Sequence, residues 1–299
     1  MKYFNAALKM VGPLDNEYNK NAKAGILNQI ASAYARHYVN KKNKNLEAIS
    51  ILEQALELTN AGEMFSIQKN PNLEKVNNWA APSRWRIAQN YFMLQRYEDA
   101  LDNIKESDFI INNCKHYKYS ALQKLLNIRE RAKIKLRQGK VQEALQLFND
   151  VIVLTKTSNI GMGTWKTEAY RVEALMRIGD FKSALKDIEN ILNNAHGCNN
   201  YAALLYNQTL LHAAIIYNHF EQHSKAAEYL QLFFQKSKQI LETFATKDMR
   251  TEIAKLNLLN FNKTVSIKTG INNGIKLYEI LVGKNNDVIK NHLSKYIIK

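Results

Sequence analysis

Apolar residues along most of this chain recur at intervals of three and four, the spacing that places them on one face of an α-helix. The segment 91–107, YFMLQRYEDALDNIKES, shows this pattern most clearly. It contains an apolar stretch, the polar pair Gln95 and Arg96, and a second periodic stretch in which the small residue Ala100 falls on the apolar face. The pattern predicts the end of one helix, a tight turn, and a second helix that presents a small side chain inward.

The same arrangement recurs in segments 136–152 and 176–192, LRQGKVQEALQLFNDVI and MRIGDFKSALKDIENIL. The small residue of the second helix sets a common register for five units, at Ala48, Ala100, Ala144, Ala184 and Ala226. Successive units are about 40 to 50 residues apart, a spacing found in helical repeat proteins. The chain is therefore predicted to be a stack of helix hairpins in which each hairpin buries its apolar face on its neighbours.

A small or β-branched residue in the first helix of each unit marks where its two helices meet, at Ala31, Ala88, Ala132, Val172 and Ala214. Small side chains at both contact positions allow the two helices to approach closely. The first unit has a longer spacing, so segment 37–45 is predicted to be an extended basic loop. Segment 60–81 is polar and contains Pro71, and it is predicted to be a second long loop.

Three regions follow from this register. We expect an N-terminal cap at residues 1–21, the repeat array at 22–241, and capping helices with a basic tail at 242–299. Within the last region, the apolar spacing predicts amphipathic helices at 246–259, 275–282 and 287–298.

The unit pattern is small-x2-aromatic in the first helix, followed by Gly-x-aromatic-x2-Ala-Leu-x2-aliphatic in the second. It resembles the tetratricopeptide repeat (TPR) over residues 22–241, most closely in segments 91–107, 139–151 and 179–191. The spacing exceeds the roughly 34 residues of that family, and the proline that often ends its units is absent. In these departures the chain is similar to the divergent, long-period arrays of bacterial regulators and sensor proteins.

The resemblance implies an all-α fold, a right-handed superhelical solenoid of about five helix hairpins with further helices at the C-terminus. It also implies that the first helices line a concave groove in which peptides or protein segments bind. Stacked hairpins leave such an ordered inner surface because each unit contacts only its neighbours.

Four positions of each first helix are expected to face this groove: three before, one after, four after and five after the small contact. The candidate partner-binding residues at these positions are Asn28, Arg36, Trp85, Gln89, Phe92, Met93, Arg129, Lys133, Arg137, Glu173, Arg177 and His219. Asn28 and Lys133 are also similar to part of the carboxylate clamp of some chaperone-binding members of the family.

The last of the four positions is occupied by Arg36, Arg137, Arg177 and His219 in four of the five units. Arginine suits carboxylate recognition because its planar donors match two oxygens at once. We therefore hypothesise that the groove binds an acidic segment or a chain-terminal carboxylate, with Trp85 and its neighbours giving an apolar contact. The alternative is that these arginines are solvated helix ends.

The charge of the chain supports several classes of partner. It has 42 Lys and Arg residues against 27 Asp and Glu, a net charge of +15. Such a field favours acidic proteins, nucleic acid or anionic membranes without choosing among them. No apolar run approaches the roughly 18 residues of a membrane span, and the first residues do not resemble a secretory signal. The two cysteines, Cys114 and Cys198, are spaced unlike a zinc site or a disulfide framework.

No motif of known chemistry is present. The glycine-containing segment 161–166 lacks the spacing of a phosphate-binding loop, and a turn with Thr164 as a helix cap explains it better. His219 and His223 are spaced like metal ligands, but they straddle a predicted turn and no carboxylate or cysteine cluster accompanies them. The sequence therefore predicts a protein that is not an enzyme, with no catalytic, cofactor or metal site.

Three functions remain open at this stage. The first is a scaffold that binds a protein or peptide, and the second is a peptide-sensing regulator that acts through the output module of a partner. The third is a nucleic-acid-binding protein, for which a steep loss of binding with salt would be diagnostic. A cytoplasmic location is expected. The heavy use of Asn and Lys indicates an AT-rich genome, which keeps a secreted effector of a host-associated bacterium as an alternative.

Overall fold

The helices predicted from the spacing of apolar residues are present in a computed structural model of the chain. The structure describes residues 2–14, 16–37, 42–59, 78–113, 120–158, 163–195, 200–259, 261, 265–283 and 286–297. These residues contain fourteen α-helices, one 3₁₀ turn and no β-strand, so the predicted all-α class is confirmed. The handedness of the superhelix stays a prediction.

The helix bounds give the numbering used below. They are α1 (Lys2–Met10), α2 (Glu17–His37), α3 (Lys42–Glu57), α4 (Ala80–Met93), α5 (Tyr97–Asn113), α6 (Ser120–Arg137), α7 (Val141–Thr157), α8 (Trp165–Arg177), α9 (Phe181–Asn194), α10 (Asn200–His219), α11 (His223–Phe244), α12 (Lys247–Lys255), α13 (Ile267–Val282) and α14 (Asp287–Asn291), followed by the 3₁₀ turn Leu293–Tyr296. No described helix is both long enough and apolar enough to cross a membrane.

The chain divides into two compact units. Unit 1 comprises Met1–Ile134 and Val153–Met162, and unit 2 comprises Lys135–Ile152 and Gly163–Lys299. In unit 1, α2 pairs with α3 and α4 pairs with α5, while α1 packs on α2. In unit 2, α8 pairs with α9 and α10 pairs with α11, and α13 packs against both members of the last pair. The division into a cap, an array and a tail stays a prediction.

Small side chains lie at the centre of the helix pairs, as the register predicts. The five alanines that define the register are completely buried, and so are Ala88, Ala132, Val172 and Ala214 of the first helices. In unit 1, Ala88 and Ala100 pack together with Phe92, Ile104 and Ile134. A second cluster contains Ala31 and Ala48. Burial at all of these positions is therefore confirmed, and in the first two pairs both small residues lie in the same cluster.

The four turns from α4 to α5, α6 to α7, α8 to α9 and α10 to α11 have the same backbone conformation. One residue in each turn has a positive φ angle, at Gln95 (61°), Gly139 (79°), Gly179 (81°) and Glu221 (58°). The N–H of the next residue donates to a carbonyl five residues earlier, as from Arg96 to Tyr91 at 2.9 Å. This is the Schellman ending of a helix, which satisfies carbonyl groups that the last turn leaves open.

Polar pairs join the two helices of a hairpin away from the small contact. In the α4–α5 hairpin, Nε of Arg84 lies 2.6 Å from Oε2 of Glu106. In the α8–α9 hairpin, the equivalent positions hold Glu168 and Asn190, and Nδ2 of Asn190 donates to Oε2 of Glu168 at 2.5 Å. The same two positions therefore carry a cation and a carboxylate in one hairpin and a carboxylate and an amide in the other.

Several predicted boundaries are wrong. The helix predicted at 275–282 begins at Ile267, and the helix predicted at 246–259 ends at Lys255. Helix α3 begins at Lys42, so the second half of the predicted loop 37–45 is helical; the ion pair between Lys44 and Glu47, at 2.6 Å, stabilises this first turn. The predicted helix 287–298 instead breaks at His292, whose φ and ψ of −134° and −72° end α14. Thr164 occupies the predicted cap position of α8, but its side chain accepts no hydrogen bond there. Cys114, Cys198 and most of the predicted loop 60–81 lie outside the described residues.

The shared turn gives a direct test of the positive φ angles. A Cβ atom added at Gly139 or Gly179 would meet no heavy atom within 4 Å, so substitution there reports the backbone conformation alone. We expect Gly139→Ala and Gly179→Ala each to lower the free energy of unfolding by about 1 kcal/mol, because residues with a Cβ disfavour the left-handed region. We expect Gln95→Gly to raise it by about 0.5 kcal/mol for the same reason.

Urea denaturation followed by circular dichroism measures these changes. Lys140→Ala is the control, because it changes the next residue of the same turn, whose φ angle is not positive. A Gly139→Ala variant as stable as the wild type would contradict the role assigned to φ.

Candidate partner-binding site

In unit 1, the candidate residues of α4 lie on one side of the helix. Trp85, Gln89, Phe92 and Met93 follow one another at helical spacing, and Trp85 and Met93 pack on the cluster around Ala88. Helix α6 meets this side of α4. Nε2 of Gln89 lies 3.4 Å from Oε2 of Glu130. This combined surface of α4 and α6, made of Trp85, Gln89, Phe92, Met93, Arg129 and Lys133, is called the α4–α6 face below.

Lys133, on the α4–α6 face, forms an ion pair within the protein. Its Nζ donates to Oε1 of Glu130 at 2.6 Å and lies 4.4 Å from the centroid of the Phe92 ring. Both members of this ion pair are buried, and Glu130 is completely so. A buried charge requires a partner, and Lys133 meets that requirement within the fold.

Asn28 is also a structural residue. Its side chain is completely buried, and its Nδ2 donates to the carbonyl of Ala24 at 3.0 Å and to Oγ of Ser83 at 2.8 Å. These bonds join α2 to the first turn of α4. The two residues that resemble part of a carboxylate clamp, Asn28 and Lys133, therefore both bond within the protein.

The remaining members of the α4–α6 face are partly exposed. Trp85, Gln89, Met93 and Arg129 are half-buried. Among the residues that the structure describes, Arg129 has no ion pair and no hydrogen bond, and the buried Nε1 of Trp85 has no acceptor. The guanidinium of Arg86 lies 5.6 Å from the centroid of the Trp85 ring. The guanidinium of Arg129 and the buried indole N–H of Trp85 therefore have no hydrogen-bond partner among the described residues.

In unit 2, three candidate residues bond to one another. Arg137 at the end of α6 makes a two-pronged contact with Glu173 of α8, with Nη1 to Oε1 at 2.6 Å and Nη2 to Oε2 at 3.1 Å. Arg177, one turn later on α8, donates from Nη2 to Oε1 of Glu173 at 2.6 Å. Its Nη1 also donates to the carbonyl of Leu136 at 3.2 Å.

All three side chains of this cluster are buried, with exposed fractions of 5%, 1% and 7% for Arg137, Glu173 and Arg177. The expectation that the two arginines present open cationic forks is therefore wrong for the conformation described. The physical reason is the carboxylate of Glu173, which the two guanidinium groups share in the interior, where an unpaired charge would be strongly destabilising.

The electrostatics of Glu173 follow from its two neighbours. Burial alone would raise the pKa of its carboxyl group, but the positive charges of Arg137, of His292 when it is protonated, and of Arg177 outweigh burial and hold the pKa well below the ordinary value. The ion pairs therefore stabilise the fold fully above about pH 4.3, the pKa of an unperturbed Glu. This contribution is lost as the pH falls from there towards the lowered pKa of the folded protein.

The polar contacts that lie beside this cluster were not predicted from the sequence. Nε2 of His212 on α10 is 3.2 Å from Nε2 of His292, which follows α14. The hydroxyl of Tyr278 on α13 donates to Oε1 of Gln208 at 2.9 Å, and the hydroxyl of Tyr296 donates to the carbonyl of Met176 at 3.2 Å. One signal was present in the sequence, because His212 interrupts the apolar run 210–216 and a buried polar residue requires a partner.

The other two candidates differ from the arginines of unit 2. His219 is exposed at the end of α10, and the centroid of its ring lies 4.4 Å from that of Phe181. It therefore packs on the start of α9. The side chain of Arg36 lies outside the described part of the structure. Within the described residues, no group of three His, Cys, Asp or Glu side chains is placed to hold a metal ion.

Known proteins similar to this chain were found among solved structures. No protein family and no curated protein matches the sequence. Two crystal structures of nearly identical TPR-like repeats, from a Podosopora anserina protein described as a kinesin light chain, are similar to this chain. The first has 15% identity and a TM-score of 0.47, and the match covers 72% of this chain and 95% of that chain. The second, also 15% identical, has a TM-score of 0.46, with 71% and 94% covered.

Both matches are to TPR-like repeats, the family that the sequence pattern resembles. The assignment of this chain as a helical repeat protein depends on its own hairpins, shared turns and buried small residues.

The shared carboxylate gives the second prediction. We expect Glu173→Gln to lower the free energy of unfolding by about 3–5 kcal/mol, the usual cost of removing one partner from a buried ion pair. Two buried guanidinium groups would then have only a neutral amide between them. Urea denaturation measures the change.

Asp102→Asn is the matched control, because it makes the same kind of change in the exposed pair of Asp102 with Lys105, whose atoms lie 2.8 Å apart. It should have little effect. Equal stability of Glu173→Gln and Asp102→Asn would show that the cluster does not stabilise the fold.

Proposed function

We propose that this protein is a non-enzymatic scaffold that binds a protein or peptide through a basic groove, and that the ligand is an acidic segment or a chain-terminal carboxylate. The observation that supports this function is the half-buried residue Arg129. It lies on the α4–α6 face and has no carboxylate partner among the described residues.

The chemistry of the α4–α6 face suits such a ligand. An arginine fork matches the two oxygens of a carboxylate, and it remains charged at all relevant pH values. Trp85 and Met93, on the same face, offer partly exposed apolar surface to the ligand. Aromatic residues and arginine are the side chains that most often dominate binding energy at interfaces.

The overall charge acts at longer range. A net charge of +15 attracts acidic ligands and accelerates their encounter with the surface. This attraction is reduced by salt, whereas the contacts of a half-buried arginine with a bound carboxylate are screened much less.

The arginines of unit 2 have a different role in this proposal. Arg137 and Arg177 are bonded to Glu173 and stabilise the fold, so their replacement would test stability before binding. Arg129 is the informative position because its replacement breaks no described ion pair.

The test uses a fluorescein-labelled dodecapeptide of Glu, Ser and Leu with a free carboxyl terminus, and fluorescence anisotropy measures its binding. We expect Arg129→Glu to weaken binding at least tenfold, because a carboxylate would replace the cation that faces the ligand. Lys124→Glu is the matched control. It makes the same change of charge at an exposed position of the same helix, on a different side, and should change the affinity less than twofold.

Equal weakening by both variants would show that only the general field matters and would contradict the proposed face. The same peptide with an amidated terminus separates the two ligand types, because only a ligand held by its terminal carboxylate loses affinity on amidation. A random single-stranded RNA tests the alternative of nucleic-acid binding. That alternative would be favoured if the RNA bound with a steep salt dependence and if Arg129→Glu and Lys124→Glu changed its affinity equally.

A further inference from the structure

The residues 286–297, here called the C-terminal segment, pack on the first helices of two hairpins of unit 2. His292 contacts His212 of α10, and the hydroxyl of Tyr296 bonds to the carbonyl of Met176 of α8. Leu293 is completely buried between these two contacts in the chain. Met176 and its neighbour Arg177 are two of the α8 positions that were predicted to face a ligand. The chain thus covers this part of its own first helices.

The contact between the two histidines restricts their protonation. Their Nε2 atoms are 3.2 Å apart, so one must donate a proton and the other must accept it. Both Nδ1 atoms are buried and have no partner among the described residues. If both rings were fully protonated, two N–H groups and two positive charges would face each other inside the protein.

The charged and titratable groups around the pair make a further positive charge unfavourable. Arg137 of α6 and Arg177 of α8 are cationic, and Glu173 of α8 provides the only carboxylate of this described cluster. Tyr278 of α13 and Tyr296 of the C-terminal segment are neutral phenols that bond to neutral oxygens. Two guanidinium groups against one carboxylate already leave a net charge of +1 before either histidine is protonated.

We propose that the C-terminal segment is an intramolecular occupant of the α8 and α10 surface, and that acidification releases it because the paired histidines cannot both be protonated while they are in contact. Release would uncover His212 and the Met176–Arg177 part of α8. The proposal does not depend on the ligand proposed for the α4–α6 face.

The direction of the pH effect follows from the histidines. Burial lowers the pKa of His212 to about 4, and burial likewise lowers the pKa of His292 well below its ordinary value. A released histidine has a pKa of about 6.5. The released state therefore binds more protons at moderately acidic pH, so docking is complete above about pH 6.5 and weakens as the pH falls towards 4.

The experiment is hydrogen–deuterium exchange with mass spectrometry on the full chain at pH 7.5 and pH 5.5, corrected for the intrinsic exchange rates of unstructured peptides. We expect the opening constant of amides in the C-terminal segment to rise about tenfold for each histidine that becomes solvated, hence about 10- to 100-fold in total. Amides of α11 in the same unit should change less than threefold. A C-terminal segment with equal opening at both pH values, or a rise shared equally by α11, would overturn the proposal.

Variants identify the responsible groups. The ratio of the opening constant at pH 5.5 to that at pH 7.5 should be about tenfold smaller in His292→Asn than in the wild type, and it should also decrease in His212→Gln. This holds whatever the absolute level of opening in each variant. His219→Asn is the matched control, because His219 is an exposed histidine on the same helix as His212, and it should keep the wild-type ratio. An unchanged ratio in both His292→Asn and His212→Gln would also overturn the proposal.

Discussion

The close contact of two helices at small side chains is the constraint on which the rest of the structure depends. Ala88 and Ala100 are completely buried where α4 meets α5, and the other hairpins use residues of similar size. A larger side chain at either position would force the helices apart, because protein interiors have little free volume. It would also move Trp85 and Gln89, which lie within one turn of Ala88. The candidate surface is therefore positioned by residues that are themselves completely buried.

Arginine has two different roles in this fold, and burial distinguishes them. Arg137 and Arg177 share the buried carboxylate of Glu173, and the ion pair of Arg137 joins the end of α6 to α8. Arg129 is only half-buried and has no carboxylate partner among the residues that the structure describes, and for this reason we propose it as the contact for a ligand. A positive net charge alone could not separate these roles, since each arginine contributes equally to it.

Much of the fold could be predicted because its main signal is local. The small contacts, the turn at Gly139 and the helix pairs all depend on residues within one hairpin, and short-range spacing records them. The candidate site was harder to predict from the sequence, because the hydrogen bonds and ion pairs that bury some of its residues join positions far apart in the chain. Arg137 and Glu173 are 36 residues apart, and His212 and His292 are 80 apart, so no period in the sequence connects them. The candidate set included Glu173 and both arginines but could not show that they bond to one another.

The polar pairs across the hairpins also bear on how the repeats find their correct partners during folding. Because the second helices of different hairpins resemble one another, a first helix could pair with the second helix of the wrong hairpin during folding. The pairs Arg84–Glu106 and Glu168–Asn190 oppose such exchange. If α5 were to dock on α8, the carboxylates of Glu106 and Glu168 would meet at a partly buried site, where like charges are strongly unfavourable. These two hairpins are thus distinguished by the charges at equivalent positions, although small residues occupy the same contact positions in both.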